Sequence, residues 1–378
     1  MVRTASVFDQ TPVFAPERLP VARPHMPSAD AILPYLERID ASRQYSNFGP
    51  LVSELEGRLS ERLGGAAVVT TSSGTSALTL ALLALQLPKG AMCALPSWTF
   101  VASAHAVLAA GLTPYFVDID PLTAMLDPRG CERQLKDAPA QVRAIVPVCA
   151  HGAPIDCDAW AQFQERTGIA VVVDAAAAHD AIQAAPFLQA VSLHATKSLG
   201  AGEGGYVVCP DTEVAVRVRM LSSFGFHGSR EARLVAINAK MSEYAAAVAL
   251  AGMDHWASTR LLYQQAAFKL RIGLKDIDSI RFQEGWGLRW ISSVCVVRVP
   301  EATLSRLIAH LASHQIDSRQ WWGEGCHASS AFENVLKAPL PHTSHLAETT
   351  LGLPFATSLT DAQISHLTGC LKAFFASA

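Results

Sequence analysis

This 378-residue chain has no C-x-x-C pair and no basic field, and its first ten residues hold no long apolar run. Its eight cysteines are scattered without a C-x-x-C pair, so free thiols are expected rather than a disulfide framework. Cys149, His151 and Cys157 lie close in sequence, but no fourth partner is spaced to join them, and no metal site is expected. With 30 Lys and Arg against 33 Asp and Glu the net charge is -3, which gives neither nucleic acid nor an anionic membrane anything to bind. The opening M-V-R-T-A-S-V-F-D-Q has no apolar core of the secretory kind, so a cytoplasmic protein is expected. No internal repeat or low-complexity tract interrupts the chain. Small, soluble substrates fit this profile best.

Charge is also absent from Ala91 to Val117, a length that could pass for a membrane span. Pro96, Ser97, Thr99, Ser103, His105, Gly111 and Pro114 punctuate it. That punctuation predicts a strand, a helix over 99–110 and a second strand over 115–117, hence a buried β-α-β unit.

What is abundant is apolar surface, at 50% of residues, in runs of strand length. The runs are 67–70, 92–95, 144–148, 169–173, 190–193 and 206–209, and helical stretches separate most of them. Short apolar strands alternating with helices predict an α/β domain with a mostly parallel sheet covered on both faces. Leu51, Leu55, Leu59 and Leu63 mark an amphipathic helix closed by Gly64 and Gly65. The length suits two domains. A proline-rich arm (1–26), a large domain (27–250) and a smaller α+β C-terminal domain (251–378) are expected, with the helix at 29–39 packing on the small one. A long helical element over 241–275 should bridge the two. A strand at 291–297 and helices at 301–313 and 361–375 should build the small domain.

Three segments carry chemistry. In T-T-S-S-G-T-S-A-L, a strand ends in a small-residue turn and a helix begins near Thr75. Its first turn presents unpaired N–H groups and the positive end of the helix dipole to a phosphate, with the hydroxyls of Ser73, Thr75 or Ser76 beside them. In V-V-V-D-A-A-A-A-H, an apolar strand delivers Asp174 at its carboxyl edge, where parallel sheets place their ligands. In S-L-H-A-T-K-S-L-G-A-G-E-G-G, Lys197 sits on a turn after a strand and before a glycine-rich hook, with Ser192 five residues earlier. A lysine there can be held uncharged by burial and attack an aldehyde. Phosphate, heterocycle and aldehyde together describe pyridoxal 5'-phosphate. Asp174 would then keep the ring nitrogen protonated, and Phe100 or Trp98 of P-S-W-T-F would stack on the ring.

These segments, with G-L-T-P-Y-F-V-D-I-D, N-A-K-M-S-E, R-Q-W-W and L-G-L-P-F, resemble the DegT/DnrJ/EryC1/StrS family of pyridoxal-phosphate sugar aminotransferases from about Tyr45 onward. The resemblance implies an aspartate aminotransferase-like large domain of fold type I, a small C-terminal domain and a homodimer with sites at its interface. It implies that Lys197 is the Schiff-base lysine and proton carrier and that Asp174 pairs with the pyridine nitrogen. Gly74, Thr75 and Ser192 would hold the phosphate, Phe100 would stack on the ring, and Asn238 would reach the phosphate in the neighbouring subunit. His227, Arg230 and His327 are candidates for substrate contact. The implied reaction is ping-pong, from an amino donor such as L-glutamate to a keto-sugar, most simply a nucleotide-linked one. A dehydratase or lyase on the same fold, or a regulator that binds the cofactor without turnover, are the competing readings. One departure stands out. Ala177 occupies the place of a family glutamine that hydrogen-bonds the cofactor's 3-hydroxyl, a role left to His179 or to water.

Overall fold

The computed structural model describes residues 18–376. The chain runs α1 (Ala29–Ser42), α2 (Pro50–Arg62), β1 (Ala67–Thr71), α3 (Gly74–Ala84), β2 (Met92–Pro96), α4 (Val101–Ala109), β3 (Thr113–Val117), α5 (Pro128–Gln134), β4 (Val142–Ile145), α6 (Cys157–Thr167), β5 (Ala170–Asp174), β6 (Leu188–Ser192), β7 (Gly205–Cys209), α7 (Thr212–Ser222), α8 (Glu243–Asp254) and α9 (Trp256–Gly273). It continues through β8 (Arg281–Phe282), β9 (Cys295–Arg298), α10 (Leu304–Ser313), β10 (Leu336–Lys337), α11 (Pro341–Thr349), β11 (Thr350–Leu353) and α12 (Asp361–Ala376). No helix among the described residues is long and apolar enough to cross a membrane.

Eight strands form the main sheet in the order β1-β7-β6-β5-β4-β2-β3-β10. All neighbours are parallel except β7, which runs against both β1 and β6. Strands buried on both faces need no polar alternation, which is why V-V-V in β5 is apolar at every position. On one face Leu51, Leu55 and Leu59 of α2 are fully buried, each contributing about 2 kcal/mol. On the other lies α3, whose Ala77, Leu78, Leu80, Ala81 and Leu82 are buried nearly all round. Glu243 ties the first face together. Fully buried, it accepts the N–H groups of Leu51 at 2.7 Å and Val52 at 3.0 Å, capping α2 from 192 residues away. Gly49 makes room for it, since a Cβ there would lie 2.7 Å from the Glu243 carboxyl carbon.

The second core surrounds the three-stranded sheet β11-β9-β8 and is closed by α10 and α12. Three expectations about organisation are corrected. Helix α1 lies against α8 with Ile39 in the large core, so it does not pack on the small domain. The helical stretch over 241–275 is two helices, broken at His255, whose φ of -105° and ψ of 8° leave the α region. The boundary at 250 is crossed again: Cys326, Phe332, Ala338 and Leu346 return to the large cores, and β10 extends the main sheet beside β3. Of the expected arm over 1–26, residues 1–17 lie outside the described residues. The remainder runs over the small core, where Leu19 bridges Ile316 and Ala22 bridges Phe355.

Candidate active site

At Asp174, the last residue of β5, the backbone stays bonded to the chain that follows β4: its N–H donates to Pro147 O and its carbonyl accepts the Cys149 N–H, both at 2.9 Å. The carboxylate is 8% exposed and accepts the Ser103 hydroxyl at 2.7 Å and the Ala176 N–H at 3.1 Å. Ser103 is in turn 2.7 Å from the hydroxyl of Thr99, so the first turn of α4 leans on the aspartate. Burial raises the Asp174 pKa, and the Ser103 and Ala176 hydrogen bonds and the Lys197 charge oppose the rise.

Lys197 sits in a hook between β6 and β7, closed by Lys197 N–H to His194 O at 2.8 Å, Ala195 N–H to Gly202 O at 2.8 Å and Ala201 N–H to Leu193 O at 2.7 Å. Its side chain is half-buried and makes no hydrogen bond among the described residues. Burial lowers its pKa, while the Asp174 charge acts in the opposite direction. The two groups are thus close enough to bias each other's protonation, and burial prevails at both.

The third part is the start of α3. Ser73 caps it, accepting the Ser76 N–H at 3.0 Å, which leaves Gly74 and Thr75 as leading N–H donors at the dipole's positive end. This turn is pressed against the strands beside it. A Cβ on Gly74 would lie 2.5 Å from the Ser192 Cβ, and one on Gly205 would lie 2.7 Å from Ser73 O and 2.8 Å from Gly74 N. Gly205→Ala is therefore expected to displace the helix start and cost about 1–3 kcal/mol in a denaturant titration; unchanged stability would mean that the packing is looser than described.

The structure separates the remaining candidates. Phe100 stands at the head of α4 with its ring 62% exposed, leaving a face free, whereas Trp98 is buried edge-on against Trp322 at 5.5 Å. His327 is joined to Ser97 at the end of β2, its Nδ1 2.7 Å from the hydroxyl, and burial lowers its pKa. His227 and Arg230 lie on an exposed loop and make no hydrogen bond or ion pair among the described residues. Asn238 is exposed too, its Oδ1 accepting Lys240 Nζ at 2.6 Å. This loop lines a surface groove of about 590 Å³ with Phe224, Phe226 and Val235.

His179, the side chain expected to stand in for a glutamine at Ala177, is buried, and its Nε2 has no hydrogen-bond partner among the described residues. Its Nδ1 is 2.9 Å from the Tyr206 hydroxyl, its ring meets Trp256 edge-on at 4.6 Å, and the charge that bears on it is Arg62, not Lys197. Two site residues escaped sequence reasoning. Ser103 is one hydroxyl among several in a small-residue helix, and His151 stood out in the sequence only as a metal ligand without partners.

An unpartnered, easily neutralised amine, a buried carboxylate and a donor-rich helix start suit a ligand carrying an electrophilic carbon, a cationic nitrogen and an anion. Comparison with known proteins agrees. The chain matches the DegT/DnrJ/EryC1/StrS aminotransferase family over residues 28–372. It is 30% identical over 363 residues to the dTDP-4-amino-4,6-dideoxy-D-glucose transaminase of Shigella dysenteriae, covering 93% of this chain and 98% of that protein. It is 28% identical over 355 residues to a UDP-N-acetyl-3-dehydro-alpha-D-glucosamine 3-aminotransferase of Acidithiobacillus ferrooxidans, covering 92% and 94%. The crystal structure of DesI in the presence of its TDP-sugar product superposes with a TM-score of 0.86 at 31% identity, covering 95% of this chain and 93% of that one. A match of this extent, on a sheet of this order, places the protein in the DegT/DnrJ/EryC1/StrS aminotransferase family, as a transaminase of the pyridoxal-phosphate fold type I.

Proposed function

We propose that this enzyme uses pyridoxal 5'-phosphate to move an amino group from L-glutamate to the keto carbon of a nucleotide-linked sugar. The observation that most supports this reading is the nearness of half-buried Lys197 to buried Asp174, whose charges act on each other at the carboxyl edge of one sheet, beside a helix start free to take a phosphate. The pressed turn at Gly74, Ser192 and Gly205 fits an anion held by backbone N–H groups, since side chains there would fill the approach. When bound, the cofactor supplies an aldehyde that exchanges amines and a ring that withdraws electrons from the carbon losing its proton.

The chain's own residues do the rest. Gly74 and Thr75 N–H groups and the Ser192 hydroxyl would hold the phosphate, Asp174 would hold the ring nitrogen in its protonated form, and Phe100 would cover one ring face. Lys197 Nζ, disposed by burial to lose its charge, takes the proton from the donor's α-carbon and later delivers one to the carbon being aminated. Glutamate leaves as 2-oxoglutarate before the sugar enters, so the kinetics are ping-pong. Asn238, His227 and Arg230 would complete the site of a second copy in a homodimer, a role that suits their exposure.

Relatives that act on dTDP- and on UDP-linked sugars both align along nearly the whole chain, so the test uses both classes. Protein loaded with pyridoxal phosphate and mixed with L-glutamate is expected to release one equivalent of 2-oxoglutarate, and then to aminate one member of a panel of dTDP- and UDP-linked keto-sugars. Release of no 2-oxoglutarate by loaded protein would end the reading. A sugar product formed without any amino donor would replace it with lyase chemistry.

A further inference from the structure

His151 has no place in the account above, yet it is set with care. Its side chain is buried, its backbone is left-handed at φ 56° and ψ 15°, and its ring stacks on Trp322 with centroids 4.3 Å and planes 12° apart. Trp322 is itself left-handed, at φ 71°. Two strained residues holding one ring against the other indicate a fixed orientation that the surroundings enforce. Despite that, the His151 Nε2 is buried without a hydrogen-bond partner among the described residues. Buried polar atoms are ordinarily paired, so a ligand atom is the natural occupant of the space that Nε2 faces.

The turn that carries His151 belongs to the Asp174 strand end. Cys149 bonds the Asp174 carbonyl, and a Cβ on Gly152 would lie 2.6 Å from the carbonyl oxygen of Ala177. The turn that carries His151 therefore lies against Ala177, one of four successive alanines, 175–178, that have no polar side chain to offer a ligand. Lys197 and Arg298 are the charges that bear on His151, and the Gln283 side chain lies nearby, its amide donating to the carbonyls of Thr123 and Ala150. Burial first, and the Lys197 charge second, push its pKa down to about 3, so the ring is neutral and offers one N–H and one bare nitrogen.

We infer that His151 is a positioning residue whose Nε2 pairs with the ring hydroxyl of the cofactor, the task for which Ala177 has no side chain. That hydroxyl is ortho to the carbon that meets Lys197, so a group fixed near Lys197 is well placed to reach it. The inference rests on the reading of Lys197 as the residue that takes the aldehyde.

Full-length protein, as wild type and as His151→Phe and His151→Gln, is titrated with pyridoxal phosphate, and the visible absorption of the bound cofactor is followed across the neutral pH range. Borohydride reduction and mass spectrometry of the Lys197 peptide establish loading independently. His151→Phe is expected to load at Lys197 but to raise the acid–base midpoint of the band by roughly one pH unit, a tenfold change in proton affinity. Without the imidazole to share its charge, the hydroxyl oxygen holds the neighbouring proton more tightly. His151→Gln, which restores a hydrogen-bonding group, is expected to bring the midpoint at least partway back. A midpoint unmoved in both variants overturns the assignment. Should His151→Phe fail to fold, the wild-type His151 ring signal in NMR decides: a shift on adding pyridoxal phosphate supports the assignment, and no change overturns it. Failure of the wild type itself to label at Lys197 overturns the underlying reading, and this inference with it.

Discussion

Lys197→Ala is expected to leave a folded protein whose transamination rate is lower by about a thousandfold or more, the loss expected when one group serves as both nucleophile and proton carrier. The same change should stabilise the protein when it holds no cofactor. Burial places the lysine's folded pKa below its ordinary value of 10.5, so between those two values the unfolded chain binds more protons than the folded one. Stability therefore falls as pH drops through that window, and the alanine variant escapes the fall. Its advantage should be fully present below the lysine's lowered folded value and shrink as the pH rises towards 10.5. Denaturant titrations at several pH values, read beside steady-state rates, check both halves. Wild-type turnover in the variant would remove Lys197 from the chemistry altogether.

Asp174→Asn should follow with a loss of roughly a hundredfold to a thousandfold, comparable to removing one preorganised electrostatic partner from an active site. The amide keeps an oxygen for the Ala176 N–H and turns its NH2 towards the Ser103 hydroxyl oxygen, but cannot hold a proton on a ring nitrogen. The sign of the pH effect is the reverse of the lysine's. Burial raises this carboxyl above the ordinary aspartate value of 3.8, so the folded protein binds the extra proton and stability is lost as pH rises through the raised value. Without cofactor, the asparagine variant should match the wild type in acid and exceed it above that window. Because Lys197 and Asp174 attract each other, each single change forfeits that attraction and the double variant forfeits it only once, so it should gain more than the two single gains combined, measured as a double-mutant cycle. An additive cycle would mean that the pair does not interact across the site.

Both residues were legible in the sequence because each follows an apolar strand that can only be buried, and a polar group at the edge of such a strand stands out. The sheet was legible for the same reason: the runs at 67–70, 92–95 and 206–209 lie within β1, β2 and β7. The break at His255 was hidden because neither proline nor glycine marks it. The return of residues around Phe332 to the large core was hidden as well, since two-residue β10 has no periodicity of its own. His151 was considered in the sequence only as a metal ligand lacking partners. Its setting depends on Trp322, far away in the chain, and on a cradle that Gly152 opens next to Ala177, and neither contact leaves a local pattern.

The hairpin β6-β7 has a further consequence. Gly205 is the cross-strand neighbour of Thr71 on one side and of Ser192 on the other, so the strand feeding α3 and the strand feeding the lysine hook are indexed to the same rung. The spacing between the lysine hook and the start of α3 is then a property of ladder register rather than of loop choice. Surrounding loops can vary while that spacing stays constant, like a gauge block built into the frame.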